Sequence, residues 1–249
     1  QKPALSLPLS CRHVPTGRPP PDRRSIAPML RAVLCALALL PPPAQGGSAE
    51  GTCDVALLLA IDVSNSVDTS EFRLQIDGLA DALRDPEVAR VLVQGQVAVS
   101  VLQWSGPAQQ RVSVAWRNMD ASADPTLLSA AVRALPRAFV RTGTAPAEAI
   151  HRGLALLSDA PPCGRHVIDV SGDGARNSGA SVRGARDRAA ALGVTINAIA
   201  IETLGTGVAD FYMAELVTPG GFVARARGHR DYPRAIRAKI LRELSAPVG

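Results

Sequence analysis

From residue 55 onward the chain alternates short apolar runs with amphipathic stretches. The run Val55-Ala-Leu-Leu-Leu-Ala-Ile61 has no polar position. A strand that is apolar on both faces belongs in the middle of a parallel sheet with helices covering each side. Residues 69–84 place Phe72, Ile76, Leu79, Ala80 and Leu83 at helical spacing. Asp85-Pro86 closes that helix, because a proline drives the residue before it out of the helical region. Residues 97–104 read as a second strand. Residues 111–116 alternate and read as a third, antiparallel to the second through the turn at Gly106-Pro107. Helical patterns cover about 125–135 and 146–157, the second with Pro146 in its first turn, where no amide donor is needed. A strand at 166–170, a helix at 180–192 stopped by Gly193, and a strand at 194–201 follow. A short helix at 208–217, a weak strand at 221–224 and an amphipathic helix at 233–244 complete the pattern. This alternation predicts an α/β fold: a doubly wound, mostly parallel sheet with helices on both faces and one antiparallel edge strand. The pattern contains no internal repeat and no second-domain boundary.

The same order of elements gathers the polar residues. Asp62-Val-Ser-Asn-Ser66 directly follows the first strand, Thr144 precedes the helix at 146–157, and Asp173 in Ser171-Gly-Asp-Gly174 follows the fourth strand. Loops leaving parallel strands share one sheet edge, where ligands bind. Two carboxylates (Asp62, Asp173) and three hydroxyls (Ser64, Ser66, Thr144) are hard oxygen donors, which suit Mg²⁺ or Mn²⁺. Taken alone, Asp-x-Ser-x-Ser is a turn-forming pattern, and Asp68-Thr-Ser70 reads as a helix cap. Thr142 competes with Thr144 in Arg141-Thr-Gly-Thr144; Thr144 is preferred for its spacing to Ala147, Ala149 and Ile150.

Charge and composition change the picture in one respect. The chain is 47% apolar and 20% charged, a globular balance, yet its net charge is +5. The excess lies at the start. Of 27 basic and 22 acidic residues, six basic (Lys2, Arg12, Arg18, Arg23, Arg24, Arg31) and one acidic (Asp22) fall in 1–49, which leaves 21 of each beyond. With aromatics at 3%, stacking platforms for bases are scarce, so nucleic-acid binding is not expected. Met29-Leu-Arg31, the apolar stretch 32–40, Pro41-Pro-Pro43 and Gly47-Ser-Ala49 follow the charge, apolar, small-residue order of an export signal. The apolar stretch is too short to span a bilayer. Residues 1–28 are accordingly read as an upstream extension, 29–49 as a signal peptide and 50–249 as the functional domain. That domain is expected in the periplasm or secreted, with no stable membrane insertion after cleavage.

Export alters the reading of the cysteines. Cys11 and Cys35 fall in the leader, leaving Cys53 before the first strand and Cys163 before the fourth. In an oxidising compartment these two can pair if the strands are neighbours; otherwise they remain two thiols.

Together, the apolar strand before Asp62-x-Ser64-x-Ser66, Gly143-Thr144 before a helix and Asp173-Gly174 after another apolar strand resemble a von Willebrand factor type A (vWA) domain. The resemblance covers about residues 53–245. Cys53-Asp-Val-Ala56, Val167-Ile-Asp-Val-Ser-Gly-Asp-Gly174 and Gly193-Val-Thr-Ile-Asn197 are similar to one branch, the bacterial exported domain of unknown function DUF1194. The resemblance implies a metal-ion-dependent adhesion site (MIDAS). There Ser64 and Ser66 would contact the ion, Thr144 would add a third hydroxyl, and Asp62 and Asp173 would act mainly through water and the serines. Such an ion, held mostly by neutral oxygens, would accept an Asp or Glu side chain from a partner protein. Gly172 departs from the family's frequent Thr-Asp-Gly and is read as added backbone freedom.

The four histidines lack zinc-type spacing, and neither a phosphate-binding loop nor a Gly-x-Ser-x-Gly elbow is present. Asp169, within the fourth strand, needs a buried partner that the sequence does not identify. A non-enzymatic, metal-dependent binding module is therefore expected. A metal-assisted hydrolase and a structural domain with a vestigial site are the alternatives.

Overall fold

The computed structural model describes residues 53–140, 142–202 and 207–245. The proposed leader, with Cys11 and Cys35, lies outside the described residues.

Six strands form one sheet in the order β3-β2-β1-β4-β5-β6. They are β1 (Cys53–Asp62), β2 (Ala98–Trp104), β3 (Gln110–Asn118), β4 (Cys163–Gly172), β5 (Val194–Ile201) and β6 (Val223–Ala226). All pairings are parallel except that of β2 with β3 at the edge. The fold is thus the doubly wound α/β class, with its antiparallel edge strand where the alternating pattern put it.

Side-chain alternation along β1 builds a core on each face. Val55, Leu57, Leu59 and Ile61 pack with α1 (Thr69–Leu83), α2 (Pro86–Gln94), α3 (Asp124–Arg133) and α7 (Tyr232–Leu244). Ala56, Leu58 and Ala60 pack with α4 (Pro146–Leu157), α5 (Val182–Ala191) and α6 (Val208–Phe211). A five-residue π-helical turn, Tyr212–Leu216, continues α6.

Local signals account for most boundaries. Asp68 caps α1 in a reciprocal capping box: its side chain accepts from Glu71 N, and Glu71 accepts from Asp68 N. Gly193 has φ +70, so the left-handed turn that ends α5 falls on the residue without a Cβ. At one boundary the structure adds an element that the pattern did not show. Asp85-Pro86 ends α1 but also starts α2, with Asp85 accepting from the amides of Glu87 and Val88 and Pro86 in the first turn. The stop signal and the start signal are the same two residues.

Strands β1 and β4 begin earlier than their apolar runs. Cys53 and Cys163 are register partners there and form a disulfide, with Cα atoms 4.6 Å apart. Asp169 finds its partner on α7: Lys239 Nζ lies 2.6 Å from Asp169 Oδ2 and 3.1 Å from Glu243 Oε2, with all three side chains buried. The chain after β1 crosses to α1 on one face, and the chain after β4 crosses to α5 on the other. The crevice between these neighbouring strands is the topological switch point of the sheet.

Candidate metal centre

Five sequence-selected residues meet at that crevice. Asp62 is the last residue of β1, Ser64 and Ser66 lie in the turn to α1, Thr144 precedes α4, and Asp173 follows β4. Thr144 Oγ1 donates to Ser64 Oγ at 3.2 Å. Ser64 Oγ and Ser66 Oγ are also 3.2 Å apart, and Ser66 Oγ donates to Asp173 Oδ1 at 2.6 Å. Asp62 Oδ1 accepts from the backbone N–H of Ser64 at 2.7 Å. The cluster is graded in depth: Asp62 and Ser64 are fully buried, Thr144 nearly so, Asp173 is half-buried and Ser66 is exposed. It therefore opens to solvent on the Ser66–Asp173 side.

Thr142 lies elsewhere. Its hydroxyl bonds to Ser105 Oγ, and its carbonyl accepts from Asn65 N at 3.1 Å. Of the two threonines, Thr144 joins the hydroxyl cluster.

The electrostatics of the cluster centre on Asp62. Asp62 Oδ2 is buried and has no hydrogen-bond partner. Desolvation, then the nearby Asp173 carboxylate, push the Asp62 carboxyl up to about 7. A buried, unpaired carboxylate beside a second carboxylate is unfavourable in the charged form unless a cation neutralises it. The three hydroxyls of Ser64, Ser66 and Thr144 are linked to one another on the loops just beyond Asp62, whose other oxygen, Oδ1, holds the serine turn through Ser64 N. The donors fit a small divalent ion: Ser64, Ser66 and Thr144 would hold it, with Asp62 and Asp173 supplying charge.

Several supporting residues were missed by the sequence reading. Asn177 Oδ1 accepts from Thr144 N at 2.7 Å, and its Nδ2 lies 3.4 Å from Thr144 Oγ1. It belongs to the polar loop after Asp173, a local signal that could have exposed it. Arg137 Nη2 donates to the carbonyls of Val63 and Ser64 at 3.0 and 2.8 Å, clamping the serine turn from behind. Tyr212 is fully buried on the π-helical turn, and its hydroxyl donates to Gly174 O at 3.3 Å. Burial, then the charges of Asp62 and Asp173, raise its phenol well above the usual range, so it stays a neutral donor. Neither Arg137 nor Tyr212 has any sequence signal pointing to the cluster.

Gly172 corrects an expectation. A Cβ there would collide with the Tyr212 hydroxyl and come within 2.9 Å of Asp62 Oδ2. Its φ is not positive, so backbone freedom is not its role. Glycine is needed because the tyrosine and the aspartate close over that strand end.

A parallel sheet of this order, with Asp-x-Ser-x-Ser, threonine and aspartate loops at its switch point, defines the vWA class. The chain belongs to the family described as protein of unknown function DUF1194, whose model matches residues 52–248. No curated protein matches the chain. Its structure is similar to proximal thread matrix protein 1 from the mussel byssus (TM-score 0.58, 16% identity, covering 76% of this chain and 47% of that one). In another structure of the mussel protein a MIDAS motif is occupied by zinc (TM-score 0.55, 13% identity, 77% and 46% covered). It is also similar to the SpRpn10 VWA domain (0.52, 14% identity, 79% and 97%). A third likeness is to a von Willebrand factor type A protein from Catenulispora acidiphila (0.50, 16% identity, 78% and 42%). The chain spans less than half the length of the mussel and Catenulispora chains. Identities this low establish the fold alone.

Proposed function

We propose that this domain is a metal-dependent protein-binding module. A Mg²⁺ or Mn²⁺ ion held by Ser64, Ser66 and Thr144 would recognise an Asp or Glu side chain of a partner. The observation that carries this reading is the chain of three linked hydroxyls, Thr144, Ser64 and Ser66, between two carboxyl groups, Asp173 bonded to Ser66 and a buried Asp62 whose Oδ2 has no partner. An ion held chiefly by neutral oxygens keeps much of its field and attracts a further anionic ligand. The opening at Ser66 and Asp173 offers the approach. The mussel protein with zinc in its MIDAS motif supports the use of such an edge for a divalent ion.

The reading is non-enzymatic. Its rival is a metal-assisted hydrolase that uses the same ion to activate water, and turnover of phosphoester or ester substrates would favour that rival. The charge, apolar, small-residue order of 29–49 supports an exported protein. No described helix is long and apolar enough to cross a membrane.

Calorimetric titration with Mg²⁺ and Mn²⁺ tests the site. One equivalent should bind to the wild type, and Asp62→Ala or the pair Ser64→Ala and Ser66→Ala should abolish binding while far-UV circular dichroism is unchanged. Identical titrations would reject the assignment. A partner captured in Mg²⁺ should be released by chelator, with bulk salt having only a modest effect.

A further inference from the structure

One imidazole lies beside the hydroxyl cluster without belonging to it. His229 sits in the 3-10 turn His229–Asp231 that leads into α7 and is 5% exposed. Its Nδ1 is 3.2 Å from Glu71 Oε1. One ligand atom each from Glu71, Asp173 and His229 lie within 4.8 Å of one another. Three separate parts of the chain meet here: the first turn of α1, the loop after β4 and the turn before α7.

Each member is pre-positioned and has an atom to spare. The capping box holds Glu71 by Oε2, which accepts from Asp68 N at 2.8 Å, and leaves Oε1 turned toward His229. Ser66 occupies Asp173 Oδ1, and Asp173 Oδ2 takes no hydrogen bond among the described residues. The His229 ring makes no hydrogen bond among the described residues, and its Nε2 is buried without a partner. This nine-tenths-buried imidazole thus faces Glu71 Oε1 through Nδ1 and keeps a second nitrogen without a partner, with Asp173 in the same cluster. Glu71 and His229 also line an open groove of about 740 Å³, whose walls carry Asp68 and Asp77 together with Arg73, Arg227 and Arg230.

We propose that Glu71, Asp173 and His229 form a second cation site, for a transition-metal ion of the zinc or cobalt class. It goes beyond the adhesion-type site and shares Asp173 with it. The donor chemistry separates the two. Imidazole with carboxylates is a borderline set that suits Zn²⁺ and Co²⁺. The hydroxyl cluster is all oxygen and suits Mg²⁺. Mg²⁺ in excess should therefore fill the hydroxyl cluster and leave the histidine site to the transition metal. Because Asp173 serves both, the occupancy of one site should alter the affinity of the other.

Titration of the full chain with Co²⁺ in excess Mg²⁺, followed by visible absorption, tests this. The wild type should take up one Co²⁺ with ligand-field bands. Asp62→Ala, which disables the hydroxyl site, should retain that uptake. His229→Gln and Glu71→Gln should weaken it on the order of 100-fold, the upper end of what loss of a supporting group costs a metal site, while Mg²⁺ still binds to both. A readout without mutation guards against misfolded variants: Zn²⁺ should shift the ring-nitrogen resonances of His229 in a long-range proton–nitrogen spectrum. Unchanged His229 resonances, or wild-type Co²⁺ affinity in His229→Gln, would overturn the proposal. Loss of Co²⁺ uptake in Asp62→Ala would also overturn it, by assigning the ion to the hydroxyl cluster. Failure of Mg²⁺ binding with Co²⁺ uptake intact would instead count against the adhesion-type reading alone.

Discussion

Thr142 and Thr144 are separated by one glycine and point into different neighbourhoods. Thr142 is tied to Ser105 on the far side of the loop, whereas Thr144 reaches Ser64 and is held by Asn177. The difference sets a prediction at the scale of single atoms. Replacing Thr144 by valine keeps its shape and removes one oxygen from the cluster. Thr144→Val should weaken Mg²⁺ binding roughly tenfold or more, as removal of metal-site groups does, with little change in unfolding. Thr142→Val should do the reverse. It should leave Mg²⁺ affinity near wild type and lower stability by about 1 kcal/mol, the usual net worth of one hydrogen bond. Calorimetry and urea unfolding on both variants check the pair; an equal loss of affinity in the two would contradict the geometry. Sequence spacing favoured Thr144 because a helix begins soon after it. Only the packing of the loop against Ser105 showed what Thr142 does instead.

Among the elements, α7 is fastened to the sheet by charge as well as by apolar burial. Lys239 lies between Asp169 of β4 and Glu243 one turn further along α7, and Asn197 of β5 donates to Glu243 at 2.6 Å. Removing the one cation would leave the buried Asp169 without its partner and Glu243 with only the Asn197 amide. Lys239→Met should therefore destabilise the domain by about 3–5 kcal/mol in urea unfolding at neutral pH. The network also predicts a pH dependence. Burial, and secondarily Glu243, lift the Asp169 carboxyl from 3.8 to about 7 against the opposing pull of Lys239. Between those values the folded state keeps a proton that the unfolded chain has released. A raised acid pKa thus stabilises most at the acidic end of the window, and the contribution is lost as pH rises toward and through about 7. Wild-type stability should fall more steeply than that of Asp169→Asn between about pH 5 and about pH 8. Asp62 tilts both proteins the same way, so the difference between the two slopes isolates Asp169. Parallel slopes would show that Asp169 does not titrate there.

For the molecule as a whole, the disulfide and the candidate metal centre stand at opposite ends of the same two strands. Cys53 and Cys163 join the starts of β1 and β4, while Asp62 and Asp173 lie at their ends. The bond closes a loop with a sequence separation of 110 residues. Its loss should cost about 2–4 kcal/mol, chiefly through the freedom restored to the unfolded chain. For a chain of this size that corresponds to a fall in Tm of roughly 4–15 °C. Scanning calorimetry with and without reductant, and of Cys53→Ser with Cys163→Ser, checks it. Mg²⁺ affinity should be nearly unchanged in the reduced protein, because the sheet between the two ends is held by its own core. A large loss of affinity with no change in Tm would contradict this division of labour.

Periodicity and punctuation alone carried the fold class, the antiparallel edge, the five oxygen-bearing residues and the strands on which both cysteines lie. These are legible because strand burial and helix amphipathicity repeat over a few residues, and because loops after parallel strands must fall on one edge. The helix α2 stayed hidden because Asp85-Pro86 stops one helix and starts the next. Contacts distant in sequence had no signal at all. Lys239 meets Asp169 across 70 positions, Arg137 clamps Ser64 from 73 away, and Tyr212 makes Gly172 obligatory from 40 away. The convergence of Glu71 and His229 is of the same kind, since each looks like an ordinary surface residue until α1 and the turn before α7 are packed together. Local chemistry selects elements and loop residues; which side chains face one another is settled only when helices dock on the sheet, because docking, and not spacing, sets those distances.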